Sequence, residues 1–147
     1  MNAAQVRGPK DKKVKPMTQD FEEFTGRLSE DFHFHLYFSA DTRASALAIR
    51  EQLEAVRDFE FDLPPIRERP VGPHRWPIWS MWVDRANFAP ATMWMMKHHG
   101  AHSVLVHPNI DDGLDDHTAH AMWLGRQVPL NLEVFGARPA PEGEAAG

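Results

Sequence analysis

The nine histidines of this chain are its most evident candidates for chemistry, and all of them lie between residues 33 and 120. His33 and His35 belong to the run DFHFHLYF, in which apolar residues occupy every second position. Such alternation predicts a strand with one buried face, so both imidazoles are expected on the opposite face. His74 lies at the start of a second strand-like run, and His107 lies at the end of a third. Because neutral imidazoles that converge on a sheet can bind iron, manganese or zinc, a metal enzyme is the first hypothesis.

The pattern of apolar residues, prolines and glycines predicts the elements that position these histidines. In chain order they are a strand over 32–38, a helix over 42–57, a strand over 60–67, a strand over 76–84, a helix over 88–99, a strand over 102–107, a helix over 117–124 and a strand over 130–135. This βαββαβ order with one additional strand predicts an α+β fold, a ferredoxin-like split βαβ sandwich whose antiparallel sheet has helices on one face. Pro64 and Pro65 interrupt the second strand, which suits an edge position.

The predicted topology brings histidines of different strands together. Its first strand lies between the strands over 76–84 and 102–107, so side chains of equal phase share a face. If the phenylalanines of the first strand pack under the helices, His33, His35 and Tyr37 lie on the open face. The same alternation along the two neighbouring strands predicts further residues on that face, which are His74, Trp76, Ile78, Ser80, Trp82, Ser103, Leu105 and His107. Four of the nine histidines are therefore expected to meet there.

The composition is that of a single domain. A length of 147 residues with 42% hydrophobic and 25% charged residues suits one globular unit. Its ends predict a flexible N-terminal arm over 1–29 and a flexible tail over 137–147, around one domain over 30–136. The net charge of −5 argues against nucleic-acid binding, and the lack of cysteine excludes disulfides and thiolate metal ligands. No apolar run approaches the roughly 18 residues of a membrane span and no signal-peptide core is present, so we expect no membrane partner and a cytoplasmic location.

Four segments of the chain, taken in order, resemble the DOPA 4,5-dioxygenase family of small extradiol-type proteins. They are HFHLYF, VGPHRWPIWSMWVD, SVLVHPNIDDGLDDHTAHAMWLG and LNLEVF, within residues 31–135. The resemblance implies the ferredoxin-like fold and a ring-cleaving dioxygenase that opens a catechol such as DOPA next to its diol. It also implies that His35, His74 and His107 bind the metal, and that His33 and His117 support the metal site or act as acid and base.

Extradiol cleavage needs a metal with open positions for the substrate and O2, which three protein ligands leave free. Fe(II) is the expected metal, and Mn(II) or Zn(II) are alternatives because the same histidines accept them. The sequence does not decide whether the third protein ligand is a histidine or a carboxylate. Asp115 or Asp116 is the nearest candidate for a carboxylate, and Glu133 is the next.

Aromatic residues on the predicted open face suit a flat substrate. Tyr37, Trp76 and Trp82 are expected to hold the ring of a small aromatic molecule, which reacts with O2. His33 or His117 would transfer protons, because imidazole titrates near neutral pH. A homodimer is expected as well, since packing of two sheets is the simplest way to cover an open apolar face.

Other interpretations remain for the same residues. A non-catalytic module that binds a metal or small ligand has the same fold and the same histidines, and a zinc-dependent hydrolase is a third possibility. His98, His99 and His102 lie at the end of a predicted helix, where a structural role at the negative end of the helix dipole is expected. For His120, the sequence favours neither a packing role nor a functional role over the other.

Overall fold

The computed structural model of the chain describes residues 30–110 and 113–136, so the predicted arm over 1–29 and tail over 137–147 lie outside the described residues. Its strands and α-helices are β1 (Asp31–Tyr37), α1 (Arg43–Glu54), β2 (Ile78–Asp84), α2 (Phe88–His98), β3 (Val104–Pro108), α3 (Gly113–His117) and β4 (Met122–Leu124). Short 3-10 helices cover Arg85–Asn87 and Leu132–Phe135. Within the described ranges, no helix is both long and apolar enough to cross a membrane.

The strands form one antiparallel sheet in the order β2-β1-β3-β4. The central position of β1 between β2 and β3 confirms the predicted α+β, ferredoxin-like topology. The segment predicted as a strand over 60–67 runs beside β2, but it makes only isolated bridges, Asp62 with Trp82 and Arg67 with Ile78. The two prolines between these bridges lack the N–H donors of a continuous ladder, which explains why the segment remains at the edge.

Two predicted elements near the C-terminus are wrong. The helix expected over 117–124 does not form, because α3 ends at His117 and β4 pairs with β3 instead. Pairing satisfies the backbone groups along the edge of β3, and this tertiary gain outweighs local helix preference. The strand expected over 130–135 is also absent. Leu132–Phe135 forms a 3-10 helix instead, which packs the ring of Phe135 on that of His117.

The main core lies between the helices and one face of the sheet. It includes Phe34 and Leu36 of β1, Trp79 of β2, Leu53 of α1 and Met95 of α2, all fully buried. The alternation predicted for β1 is thus confirmed, because the apolar residues between the histidines face the helices. The opposite sheet face carries a smaller apolar cluster, centred on Tyr37, Ile78 and Leu105 and partly covered by Ala121, Trp123, Val128 and Leu130.

Trp79 joins the sheet to α1 and provides a test of this packing. Its indole is fully buried, and Nε1 donates a 2.8 Å hydrogen bond to the carbonyl oxygen of Ala46. We expect Trp79→Phe to lower the free energy of unfolding by about 2 kcal/mol, because it removes both the hydrogen bond and part of the packed volume. Urea denaturation measures the change. Trp82→Phe, on the other face and 37% exposed, is the control, and equal losses would contradict the assigned core.

Candidate metal and active site

Three histidines of the site come from the two central strands. His33 and His35 lie on the face of β1 that is turned away from the helices, and His107 lies directly opposite His33 on β3. Trp82 faces His33 from β2, and Ser80 faces His35. The side chains of β2 and β3 that the alternation predicts on the open face therefore lie on that face in the structure.

The two further histidines come from outside the sheet. His74 precedes β2 and is held by bridges to Val71 and Leu130, with its ring centroid 4.4 Å from that of His35. His117 ends α3, and its ring centroid lies 3.9 Å from that of His107. Five imidazoles thus surround one small region of the sheet face.

The ring nitrogens form two overlapping groups. One atom from each of His33, His35 and His107 lies within 4.8 Å of the others, and the same holds for His35, His74 and His117. His35 belongs to both groups and is the centre of the cluster. His74 and His107, which the sequence predicts as partners, belong to different groups but both neighbour His35.

Among the described residues, neither group includes a carboxylate. Asp115 and Glu133 are exposed. Asp116 is buried, but its Oδ2 accepts the backbone N–H of Ile110 at 3.0 Å, and its Oδ1 lies 3.6 Å from His120 Nδ1. Within the described residues, the atoms that these two groups offer to a metal are therefore imidazole nitrogens.

Hydrogen bonds to carbonyl oxygens define the tautomers of two histidines. His107 Nδ1 lies 2.8 Å from the carbonyl oxygen of Pro108, and His117 Nδ1 lies 2.8 Å from that of Gly113. A carbonyl oxygen only accepts, so both Nδ1 atoms carry the proton. In the neutral rings, Nε2 then has a free electron pair, as metal binding requires.

Hydroxyl groups contact the Nδ1 atoms of His35 and His74. Ser80 Oγ is 2.7 Å from His35 Nδ1, and the Tyr37 hydroxyl is 2.7 Å from His74 Nδ1. Because a hydroxyl can donate or accept, either neutral tautomer is compatible with these contacts. The two histidines can therefore leave Nε2 protonated, or free for a cation.

The closest approach within the cluster fits a divalent metal ion. His35 Nε2 and His107 Nε2 are 3.1 Å apart. Two nitrogen ligands at about 2.1 Å from one cation, at a right angle as in an octahedral site, are about 3.0 Å apart. Since His107 Nε2 presents its electron pair, either a proton on His35 or a cation must lie at this contact.

Burial keeps the cluster neutral. It lowers the pKa of His33 and His74 to about 4 and that of His107 to about 3, with repulsion from neighbouring histidines adding to the effect. Burial also lowers the pKa of His35 far below its ordinary value. The pKa of His117 is lowered by burial as well, against the opposing hydrogen bond to Gly113. Near neutral pH all five rings are electron-pair donors.

The three residues predicted to hold the substrate differ in their exposure and in their distance from the histidine cluster. The Trp82 ring stacks on His33 with centroids 4.8 Å apart, and it is 37% exposed. Trp76 is equally exposed, and within residues 30–110 and 113–136 its ring makes no aromatic contact with the histidine cluster. Tyr37 is buried beneath Trp123, and burial raises the pKa of its hydroxyl, which binds His74.

Several contacts at the site depend on parts of the chain that are far apart in sequence. Ser80 is on the predicted open face, but its bond to His35 follows only from the observed register. Phe135, expected in a strand, instead packs its ring 5.0 Å from that of His117. The period of two is the signal for Ser80, and no local pattern indicates the position of Phe135.

The histidines at the end of α2 have structural contacts, as predicted. His98 Nδ1 donates to the carbonyl oxygen of Trp94, within the same helix. His99 Nδ1 donates to the carbonyl oxygen of His102. His102 is buried, and its own Nδ1 donates to the carbonyl oxygen of Tyr37. These bonds fasten the chain between α2 and β3.

Comparison with known proteins shows similarity over the whole described domain. The model of the DOPA 4,5-dioxygenase family matches residues 32–134. A DOPA 4,5-dioxygenase of Amanita muscaria is 32% identical in an alignment 126 residues long, and the match covers 81% of this chain and 55% of that protein. The chain thus spans about half the length of this relative. An uncharacterised 21.2 kDa protein of Botryotinia fuckeliana is 32% identical in an alignment 136 residues long, and the match covers 80% of this chain and 72% of that protein.

A solved structure is similar as well. The crystal structure of a protein from Nostoc punctiforme, proposed to be a dioxygenase, superposes with a TM-score of 0.68 at 33% sequence identity. The match covers 72% of this chain and 90% of that one. The similarity in structure therefore extends over nearly all of the Nostoc protein.

Proposed function

Because the chain belongs to the DOPA 4,5-dioxygenase family, we propose that it is a metal-dependent extradiol-type dioxygenase that opens the ring of a catechol such as DOPA. The observation that carries the proposal is the 3.1 Å approach of His35 Nε2 and His107 Nε2 within a cluster of neutral histidines. One catechol and one O2 supply every atom of a ring-opened product. The ring C–C bond beside the diol and the O–O bond break, both oxygen atoms enter the product, and no further reductant is needed.

Fe(II) is the proposed metal, and His35, His74 and His107 are its proposed ligands. Because His74 and His107 belong to different three-histidine groups, binding one cation requires their rings to move closer together. The Nδ1 of each ligand is held by a hydroxyl or carbonyl oxygen, which leaves Nε2 for the cation, as is usual for metal-bound imidazoles. When bound, Fe(II) would lower the pKa of the catechol hydroxyls and provide positions for O2. Three neutral ligands leave the charge of the cation uncompensated, which favours an anionic catecholate.

His33 and His117 are the proposed acid–base residues. A neutral imidazole can accept the second hydroxyl proton of the catechol and return it to an oxygen atom when the O–O bond breaks. Both rings border His107, with centroids 5.1 Å and 3.9 Å from it. Their partial exposure leaves them accessible to a substrate that enters over the sheet face.

Trp82 is the proposed support for the substrate ring. It stacks on His33 and keeps part of its indole exposed, so a flat catechol can pack beside it. Trp76 is proposed as a second, outer contact, since it is also exposed. Tyr37 lies beneath the site, and its proposed contribution is made through His74.

Oxygen uptake by anaerobically iron-reconstituted protein tests the function. We expect a catechol to consume one O2 for each yellow ring-opened product formed. Protein that binds one iron per chain but consumes no O2 with any catechol would favour the non-catalytic binding module. Activity that needs zinc and is independent of oxygen would instead favour the hydrolase.

His33→Asn separates acid–base chemistry from metal binding. We expect the variant to retain iron and to lose about 100-fold or more in kcat, because general acid–base catalysis contributes about that factor. Iron titration and oxygen uptake are the two measurements. Since His33 also lies in a three-histidine group with His35 and His107, loss of iron would reassign it as a ligand.

A homodimer and a cytoplasmic location remain predictions. The exposed Trp82 and Trp76 favour a partner on the sheet face, although Trp123 and Leu130 already cover one end of it. Light scattering coupled to gel filtration measures the oligomeric state. A monomer at micromolar concentration would contradict the dimer.

A further inference from the structure

Asp116 is the one buried acidic residue among the residues that the structure describes, with 3% of its surface exposed. It directly precedes His117 at the end of α3. Carboxylates are seldom buried without a specific partner, because the interior of a protein disfavours their charge. Its contacts therefore indicate what this position requires.

The carboxylate of Asp116 joins α3 to the end of β3. Its Oδ2 accepts the backbone N–H of Ile110 at 3.0 Å, two residues after Pro108 at the end of β3. Its Oδ1 faces His120 Nδ1 at 3.6 Å, in the turn that follows α3. One side chain thus connects the strand that carries His107 to the helix that carries His117.

The helix depends on such a connection. α3 has five residues, and a single helical turn is not stable without tertiary contacts. His117 is bonded within that turn, through Nδ1 to the carbonyl oxygen of Gly113. Its ring position, 3.9 Å from His107 and 5.0 Å from Phe135, therefore follows the placement of α3.

We propose that Asp116 is a positioning residue, which holds His117 against the histidine cluster by tying α3 to the segment that follows β3. The inference rests on the proposed function in one respect, the catalytic role of His117. The position of the His117 ring is a separate matter, which can be measured in metal-free protein.

Two variants and a matched control test the proposal. Asp116→Ala removes the acceptor of the Ile110 N–H, whereas Asp116→Asn retains an oxygen acceptor of the same size. Asp84→Ala is the control, because Asp84 also accepts a backbone N–H, from Asn87 at 3.1 Å, on β2 away from the cluster. In metal-free protein, the nuclear Overhauser effect between the ring protons of His117 and His107 reports the position of the ring, because the two centroids are 3.9 Å apart. We expect Asp116→Ala to lose this effect, and Asp116→Asn and Asp84→Ala to keep it.

Kinetics add a second measurement. Misplacing a reacting group by about 1 Å can cost about 100-fold in rate, so we expect Asp116→Ala to lower kcat by about tenfold to 100-fold. If Asp116 acts through His117, the double variant Asp116→Ala/His117→Ala should be no slower than His117→Ala alone. Additive losses would overturn the proposal.

The two measurements separate the two hypotheses. A parent protein that cleaves no catechol would remove the kinetic comparison and contradict the proposed function, while the NMR comparison still decides the role of Asp116. If Asp116→Ala fails to fold, Asp116→Asn carries the test. Loss of the His117 signal in Asp116→Asn, or its persistence in a folded Asp116→Ala, would overturn the proposal.

Discussion

Replacing His35 by alanine is expected to abolish stoichiometric metal binding. His35 belongs to both three-histidine groups, and its Nε2 makes the 3.1 Å contact with His107. Loss of residues that only orient a ligand costs about 10–100-fold in metal affinity, so loss of a central ligand should cost more than about 100-fold. His107→Ala should have a similar effect, since it removes the other atom of the close pair.

The measurement is a competition titration of Fe(II) or Zn(II) against a chromophoric chelator. His98→Ala is the matched control, because His98 bonds within α2 and lies in neither group. Circular dichroism and urea denaturation establish that each variant is folded. If His35→Ala binds one metal per chain with the affinity of the parent protein, the proposed site is wrong.

Metal-free protein is expected to lose stability as the pH falls from about 6.5 to about 4. The pKa of His33 and His74 is about 4 and that of His107 about 3 in the folded chain, against 6.5 when unfolded. Between these values the unfolded chain binds more protons, so the free energy of unfolding decreases as the pH is lowered. One pKa unit corresponds to about 1.4 kcal/mol. Over this pH range the cluster should therefore lower the free energy of unfolding by on the order of several kcal/mol.

Urea denaturation at several pH values, with a chelator present, measures this dependence. His107→Gln should flatten the curve between pH 6.5 and 4.5, a range above the ordinary pKa of carboxylates. His98→Gln is the control outside the cluster. A parent stability that is constant over this range, or a slope that His107→Gln leaves unchanged, would contradict the assigned pKa values.

The sheet face of the site was predictable because strands alternate with a period of two. Once Phe34 and Leu36 are assigned to the core, His33 and His35 must lie on the other face. The resemblance of the chain to its family agrees with this assignment and is confirmed by the family match. The local pattern was therefore sufficient to predict the order of β1, β2 and β3 in the sheet. It was also sufficient to predict which of their side chains lie on the same face.

Elements near the C-terminus could not be predicted in the same way. The segment over 117–124 contains residues that suit a helix, and Leu130–Phe135 alternates like a strand. Which of them joins the sheet depends on which edge is free after β1, β2 and β3 have paired. That information is non-local, so β4 formed where a helix was expected.

The sequence alone determined which histidines share the sheet face, since side-chain direction in a strand follows from the local alternation of residues. Tertiary structure decided the distances between them, the Nδ1 partners and the place of His117. His117 lies beside His107 at the end of α3, where Asp116 of the same helix bonds to Ile110 and the ring of Phe135 packs on His117. Contacts between residues distant in sequence depend on the packing of whole elements, and no local spacing encodes that packing.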